Sequence, residues 1–368
     1  MPRLADGCPI RVLELRSVRG TGGGPEKTIL AGAERADPGR FAITVCYLRD
    51  RRDPVFRIGE RARAVEYVEI LERHSFDPRI WTALRRLVRE RGFHVVHSHE
   101  YKTDLLAYLL ARFENLPPVA TVHGWTGNSR REQVYYAFDR RLLPSFPRLI
   151  AVSSEIRDVL VRCGADASRV HVILNGIDSE LFRRDPSREL PARAALGIPP
   201  GVPVVGAVGR LERQKRFDVL LEAFSILRRE HPSAILVIAG TGTLGADLRA
   251  TAAALGVSPS VRFLGQIEDV IELHHAIDLY VQSSDYEGTP NALLEAMALE
   301  TPIVATTAGG TEDLVRDGEH AVLVPPGRAD ELAGAMGRAL ADPQSTRRRV
   351  VACRRRTETE LSFEARMR

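Results

Sequence analysis

Short runs rich in valine, isoleucine and leucine recur along this chain, and stretches with a helical pattern fall between them. In the first half the runs are Ile10–Leu15, Phe41–Tyr47, Ala64–Val68, Val95–His97, Val119–Thr121, Leu149–Val152 and Val170–Ile173. Helices are expected over Pro25–Glu34, Arg79–Arg91, Leu105–Arg112, Arg131–Leu143 and Ser154–Cys163. Alternation of this kind predicts a parallel sheet covered by helices on both faces. The pattern then starts again. Pro203–Val208, Ala234–Ala239, Val261–Leu264, Leu279–Gln282, Pro302–Thr306 and Ala321–Val324 read as strands, with helices over Phe217–Arg229, Asn291–Leu299 and Ala329–Leu340. A chain of 368 residues has room for two such α/β domains of about 170 residues each. The first is expected over 1–178 and the second over 203–352, joined by the polar, proline-dotted segment 179–202.

Composition excludes several classes. With 44% hydrophobic and 27% charged residues and no low-complexity segment, neither a disordered nor a fibrous chain is expected. No apolar run is long enough to span a bilayer, and the N-terminus, Met1 to Cys8, lacks the apolar core of a signal peptide. A cytoplasmic protein is expected. Cys8, Cys46, Cys163 and Cys353 are scattered singly, which fits neither a disulfide framework nor a zinc site. The net charge is +4 and the pI is near 9.0, with arginines bunched at 51–52, 130–131, 140–141, 347–349 and 354–356. Solvated surface is the ordinary role of such clusters. The sharper reading is contact with an anionic acceptor or with the inner face of a membrane. Nucleic acid is disfavoured, because few aromatic residues accompany the basic pairs as stacking platforms.

Ligands of parallel α/β sheets bind at the carboxyl ends of the strands, so the loops there carry the functional reading. After the first strand, Gly20, Gly22, Gly23 and Gly24 precede a helix that starts near Pro25. Pro25 stands where the dinucleotide fingerprint needs its third glycine, which disfavours NAD. His97, His99 and His123 each fall just past a strand. Any one of them alone reads as an ordinary loop histidine, but an imidazole there can hydrogen-bond a sugar hydroxyl or a developing charge. In the second half, Arg210 and Lys215 lie on a strand-to-helix loop that lacks the Gly-Lys-Ser/Thr of a P-loop. A guanidinium fork and an ammonium point charge can clamp a diphosphate, each charge-assisted bond contributing roughly 1.5–3 kcal/mol. Gly240, Gly242 and Gly245 match the dinucleotide glycine spacing, yet they follow the second strand of their unit with no clear ribose-binding acid beyond. The milder reading is a nucleotide phosphate or base that approaches Gly242.

The stretch from Ser283 to Leu299 reads as strand end, loop and helix, with Thr289 expected to cap the helix and Pro290 to open it. Glu287 lies on the loop, and Glu295 about one and a half turns inside the helix. Between them the first-turn amides, from Gly288 and Thr289 to Asn291 and Ala292, together with the positive end of the helix dipole, favour a phosphate. One carboxylate on each side can then accept hydroxyl hydrogens. A nucleotide sugar, with its ribose, diphosphate and hexose, has that layout. Taken alone, a Glu-Gly-Thr-Pro turn before an amphipathic helix is common in α/β proteins.

Several motifs in order carry a resemblance: Gly20 to Glu26, Thr121 to His123, Asn175 to Asp178, Gly209 to Leu211 with Lys215, Glu287 and Glu295 with seven residues between them, and Gly309, Gly310 and Glu312. Along nearly its whole length the chain resembles the retaining GT-B glycosyltransferases of family four. The resemblance implies two Rossmann-like domains with parallel sheets facing a central cleft. It implies a donor held mostly by the second domain and an acceptor by the first. Arg210 and Lys215 would grip the diphosphate, Glu295 the ribose and Glu287 the transferred sugar, helped by the amides of Gly288, Thr289, Asn291 and Ala292 and by Gly242. Gly23 and Gly24 would approach the donor from the other side, and His123 would support the sugar near its anomeric carbon. Catalysis would fall to His123, Glu287, Arg210 and Lys215, and acceptor binding to His97, His99 and Lys102.

The sequence has no Asp-x-Asp motif, so no metal and no cofactor are expected, the nucleotide sugar being a substrate. The family implies retention of configuration, with front-side attack by the acceptor hydroxyl, in polysaccharide or glycolipid synthesis. It also implies that the segment 353–368, including Phe363, crosses back to the first domain and is short or truncated here. The donor base, the sugar and the acceptor, a lipid-linked one included, stay open. So do two rival readings, a sugar-nucleotide epimerase of the same fold and a non-catalytic sugar-nucleotide-binding protein.

Overall fold

The computed structural model describes residues 8–18, 23–53, 65–74, 77–125, 130–267 and 269–367. The backbone divides into two units, one running to Asn175 and the other from Gly176 to Arg366. In the first unit the strands are β1 (Ile10–Val18), β2 (Phe41–Asp50), β3 (Glu66–Glu72), β4 (Val95–Ser98), β5 (Pro118–Val122), β6 (Arg148–Ala151) and β7 (Val170–Val172). Its helices are α1 (Gly24–Arg35), α2 (Pro78–Arg91), α3 (Tyr101–Glu114), α4 (Arg130–Leu142) and α5 (Ser154–Arg162). Among the described residues the strands form one seven-stranded sheet in the order β3-β2-β1-β4-β5-β6-β7. Every pairing in it is parallel. Leu13, Leu15, Val45 to Leu48 and Val96 are fully buried, as expected where helices cover both faces of a sheet.

The second unit repeats the scheme with β8 (Val204–Val208), β9 (Ile235–Ala239), β10 (Val261–Gly265), β11 (Leu279–Gln282), β12 (Ile303–Thr306) and β13 (Val322–Val324). Its helices are α6 (Glu189–Ala195), α7 (Phe217–Leu227), α8 (Gly245–Ala254), α9 (Val270–Ala276), α10 (Asn291–Ala298), α11 (Thr311–Leu314), α12 (Ala329–Ala341), α13 (Pro343–Thr359) and α14 (Phe363–Met367). Here the order is β10-β9-β8-β11-β12-β13, again wholly parallel. In both sheets the chain winds outward one way, returns to the middle and winds out the other way. The order reverses between β1 and β4 in one unit and between β8 and β11 in the other. Loops that leave such a switch point diverge, and ligands bind where they do.

Three stretches differ from the sequence reading. Strand β3 runs to Glu72, and its expected start at Ala64 lies outside the described residues. Its glutamates hid it: Thr44 Oγ1 donates to Glu66 at 2.6 Å and Arg49 pairs with Glu69 at 3.5 Å, so their charges are matched by the neighbouring strand. The arginine-rich stretch forms the helix α13, capped by Asp342, whose carboxylate accepts from Ser345 N. Arg354 is not solvated surface. Its guanidinium donates to Phe182 O and Ala298 O at 2.8 Å and to Ser179 O at 2.9 Å, so a cation closes the carboxyl end of α10. Finally, the segment 179–202 packs within the second unit, where Arg193 of α6 donates to Asp278 at 2.5 Å and to Val202 O at 2.9 Å. The Asn175 to Asp178 motif has a backbone reason for its glycine. A Cβ on Gly176 would lie 3.1–3.2 Å from the backbone of Ser362 and Phe363, where Ile177 and Ser362 form a parallel bridge. Among the described residues no helix is long and apolar enough to cross a membrane.

One buried pair predicts a pH dependence. Asp104 of α3 and Asp139 of α4 are both buried. Ser98 Oγ donates to Asp104 at 2.5 Å and Trp125 Nε1 to Asp139 at 3.0 Å. Burial first, then the neighbouring Asp139 carboxyl, pushes Asp104 well above the usual carboxylate range, and burial also raises Asp139. The folded state therefore holds protons that the unfolded chain releases above about pH 4. Stability should fall as pH rises from that point through the raised value. Urea unfolding followed across this range is expected to show the decline, and Asp104→Asn to flatten it. An unchanged slope in the variant would contradict the raised value.

Candidate functional site

At the switch point of the second sheet, two loops meet. The first leaves β8 at Val208, makes one turn of 3₁₀ helix at Arg213–Lys215 and enters α7. Arg216 takes the left-handed conformation at φ 46°, which is uncommon for a side-chain-bearing residue, and Asp218 and Asp285 each hold it at 3.1 Å. The second loop leaves β11 and runs from Ser283 to α10. Side chain and backbone join the two: Ser283 Oγ donates to Lys215 O at 2.7 Å, Asp285 N to Gln214 O at 2.9 Å and Gln214 Nε2 to Tyr286 O at 2.7 Å.

The charged groups of interest lie in this junction. Lys215 Nζ donates to Glu287 Oε1 at 2.5 Å, and Ser284 Oγ donates to the same oxygen at 2.5 Å. Arg210 Nη2 donates to Gln214 Oε1 at 3.3 Å. Burial first, then the Glu287 and Glu295 charges, lifts the phenol of the core residue Tyr280 well above its usual range. Burial raises the Tyr286 phenol against the pull of Arg210, and the Asp285 and Glu287 charges add to the rise. The structure thus brings Lys215 and Glu287 into contact where the loops after β8 and β11 join, with Arg210 on the same loop as Lys215; Glu295 lies in α10 beyond them. Glu287, Thr289 and Glu295 are buried, while Gly288, Asn291 and Ala292 are partly exposed at the start of α10.

Two details here correct or extend the sequence reading. The cap of α10 is Pro290, at φ −72° and ψ 105°, with no side-chain cap bond. The extended ψ keeps Pro290 outside the helix, and Thr289 is buried instead of capping it. The glycine at 242 is required by the protein's own backbone. A Cβ there would lie 2.4 Å from Leu211 O, and one on Gly240 would lie 1.9 Å from Gly209 O. The loops after β8 and β9 pack that closely, which accounts for glycine at both positions.

In the first unit the ends of β1, β4 and β5 carry a second cluster. Strand register sets Glu14 beside His97. His97 Nδ1 lies 3.0 Å from Glu14 Oε1 and His97 Nε2 lies 2.7 Å from Thr121 Oγ1. His99 Nε2 lies 2.6 Å from Glu14 Oε2 and His99 Nδ1 lies 3.3 Å from His123 Nε2. His99 is buried, whereas His97 and His123 are partly exposed. Burial, then the His97 charge, lowers His99 to about 4 against the pull of Glu14. Burial raises Glu14, but the charge and hydrogen bonds of His97 and the bond from His99 outweigh it and hold the carboxyl far below its usual range. Glu14, His97 and His99 each bring a ligand atom within 4.8 Å of the others, a spacing a divalent ion could also bridge.

The glycine loop is tied to this cluster. Glu26 accepts from Gly23 N and from Arg16 Nε, both at 2.5 Å, and Arg16 Nη1 donates to His99 O at 2.8 Å. Gly24 opens α1, while Gly20 to Gly22 lie outside the described residues. Lys102 is ion-paired with Glu72. Sequence reasoning singled out the three histidines but missed Glu14 and Arg16, and it quoted Glu26 without a role. The available signal was a lone acid between Leu13 and Leu15, the single acidic residue of β1.

Comparison with known proteins gives a consistent result. Residues 22–181 match the family model described as Glycosyltransferase Family 4, and residues 190–356 match that of Glycosyl transferases group 1. Glycogen synthase of Mycobacterium tuberculosis is 31% identical over 294 residues, covering 76% of this chain and 69% of that protein. D-inositol 3-phosphate glycosyltransferase of Nocardia farcinica is 30% identical over 275 residues, covering 70% of this chain but only 60% of its own length. Among solved structures, Anabaena Alr3699/HepE in complex with UDP-glucose superposes with a TM-score of 0.85 over 97% of each chain at 21% identity. Sucrose-phosphate synthase from Thermosynechococcus elongatus does so with a TM-score of 0.82 over 97% of this chain and 96% of that one, at 23% identity. Two parallel doubly wound sheets, two matched family models and full-length relatives in fold lead to one assignment: this chain belongs to the GT-B glycosyltransferases of family four.

Proposed function

We propose that this glycosyltransferase moves a sugar from a nucleotide-sugar donor to an acceptor hydroxyl, with retention of configuration and without a metal ion. The observation that carries the reading is the pairing of Lys215 with Glu287 just ahead of α10, with Arg210 on the same loop as Lys215. Breaking the bond from the anomeric carbon to the diphosphate sends an electron pair to the departing oxygen and leaves positive charge on the sugar. Arg210, Lys215 and the first amides of α10 meet the negative charge. Glu287 and Glu295 accept hydroxyl hydrogens from the transferred sugar and the ribose, Ser284 keeping the Glu287 carboxylate in place. The acceptor oxygen attacks from the face the diphosphate leaves, and its proton passes to a diphosphate oxygen. His123 supports the sugar, and the surroundings of His97, His99 and Lys102 serve the acceptor. The Alr3699/HepE structure contains UDP-glucose, and two relatives are named as a glycogen synthase and a D-inositol 3-phosphate glycosyltransferase, which supports a nucleotide-sugar donor here.

The reading is tested by incubating the protein with a panel of nucleotide sugars and hydroxylated acceptors in the presence of EDTA, with products followed by NMR. Transfer with the anomeric configuration of the donor is expected. Inversion, abolition by EDTA, or conversion of the donor with no acceptor present would each contradict it.

The acceptor side of this proposal includes peripheral contact with an anionic membrane. Helix α4 exposes Val134 and Phe138 one turn apart, with Arg130, Arg131, Arg140 and Arg141 exposed around them. An apolar pair rimmed by cations suits the headgroup region of an anionic bilayer. Sedimentation with vesicles containing phosphatidylglycerol should capture the protein at low salt, and Phe138→Ser should reduce capture. Absence of binding at low salt would remove this part.

A further inference from the structure

The cluster at the ends of β1, β4 and β5 contains more order than three histidines need. We propose that Glu14 is a positioning residue that fixes, through His99, which nitrogen of His123 carries the proton. The inference rests on the reading that His123 faces the transferred sugar.

Glu14 is ionised, and a carboxylate can only accept. His97 Nδ1 at 3.0 Å and His99 Nε2 at 2.6 Å must therefore both be N–H donors to it. His99 is buried and neutral, so with its one proton on Nε2 its Nδ1 carries a lone pair. That lone pair faces His123 Nε2 at 3.3 Å, and His123 must donate there through Nε2–H. A neutral His123 then has Nδ1 as its acceptor nitrogen. On the other arm His97 Nε2 lies 2.7 Å from Thr121 Oγ1. One carboxylate thus sets the direction of the hydrogen-bond chain that runs through His99 to His123, just past β5. The charged groups around His99 do not undo this. Arg16 touches only its carbonyl oxygen and is itself paired with Glu26.

A glutamine in place of Glu14 keeps the shape but presents one acceptor and one donor. It cannot accept from both imidazoles, so one of the two must reverse its tautomer, and the arm beyond it reverses too. Loss of one hydrogen bond to a charged group lowers activity by about 10–100-fold.

Long-range ¹H–¹⁵N spectra of the full chain labelled at histidine read the tautomers directly. In the wild type, His97 protonated at Nδ1 and His99 and His123 protonated at Nε2 are expected. Glu14→Gln should reverse His97 or His99 and lower kcat about 10–100-fold with little change in donor KM, and Glu14→Asp should recover the wild-type tautomers. A wild-type spectrum with His99 protonated at Nδ1 overturns the proposal with no variant needed. So does Glu14→Gln with unchanged tautomers and unchanged kcat, or stoichiometric capture of added zinc by His97 Nδ1 and His99 Nε2. His123→Ala separates this from the reading beneath it: full activity in that variant removes the role of His123 at the sugar, whatever the tautomers are.

Discussion

An Arg210→Ala variant is expected to fold as the wild type does and to transfer sugar about 10²–10³-fold more slowly, the loss typical of one preorganised transition-state donor. The two halves of that expectation come from the same geometry. The Arg210 side chain is exposed and makes a single long bond, 3.3 Å to Gln214, so its removal should change stability by no more than about 0.5 kcal/mol. In the proposed reading its guanidinium meets the charge that develops on the leaving diphosphate, an effect that grows as the anomeric bond breaks. The loss should therefore fall on kcat as well as on kcat/KM. Steady-state kinetics beside a melting curve measure both. A near-normal rate would exclude Arg210 from the leaving-group site, and a large drop in melting temperature would show that its role is structural.

Glu287→Ala should be the more damaging change, because two functions are lost at once. The Lys215 and Glu287 side chains are 17% and 7% exposed, and Glu287 Oε1 accepts from both Lys215 and Ser284. Removing one partner of a mostly buried ion pair costs about 3–5 kcal/mol, and the residual exposure of Lys215 argues for the lower end. Denaturant unfolding should show that loss. Transfer should fall as well, since the sugar loses its hydroxyl acceptor, while free nucleoside diphosphate should still bind to the unmasked Lys215 ammonium. The double variant Lys215→Met with Glu287→Leu should regain most of the stability, because an apolar pair of similar volume suits the site, yet stay inactive. Recovery of activity along with stability would mean that the pair serves the fold alone. Loss of diphosphate binding in Glu287→Ala would contradict the division of roles between the two residues.

The parts of this architecture that depend on local pattern were legible in the sequence. Buried parallel strands need continuous apolar runs, so β1, β2, β8, β9 and β11 were located, and charged residues just past them, such as Arg210, Lys215 and Glu287, stood out on their loops. The parts that depend on register were not. Glu14 acquires meaning only when β1 lies beside β4 and sets it opposite His97. Arg354 read as surface because its partners, the carbonyls of Ser179, Phe182 and Ala298, are far away in sequence and carry no signature. The glycine pattern at 240–245 is the converse case. Its spacing is a local signal, but the close neighbour that requires glycine at 242 is the backbone of Leu211, which spacing does not reveal. Thr289 was a fair cap by residue type, and the extended ψ of Pro290 moved the helix start past it.

Calorimetric titration of uridine, guanosine and adenosine diphosphates into the wild type, Arg210→Ala and Lys215→Ala tests the central claim most directly. If the loop after β8 grips the diphosphate, at least one of these nucleotides binds the wild type and binds each variant about 10–100-fold more weakly, the equivalent of one charge-assisted bond. Equal affinity across the three proteins would place the diphosphate elsewhere and contradict the account.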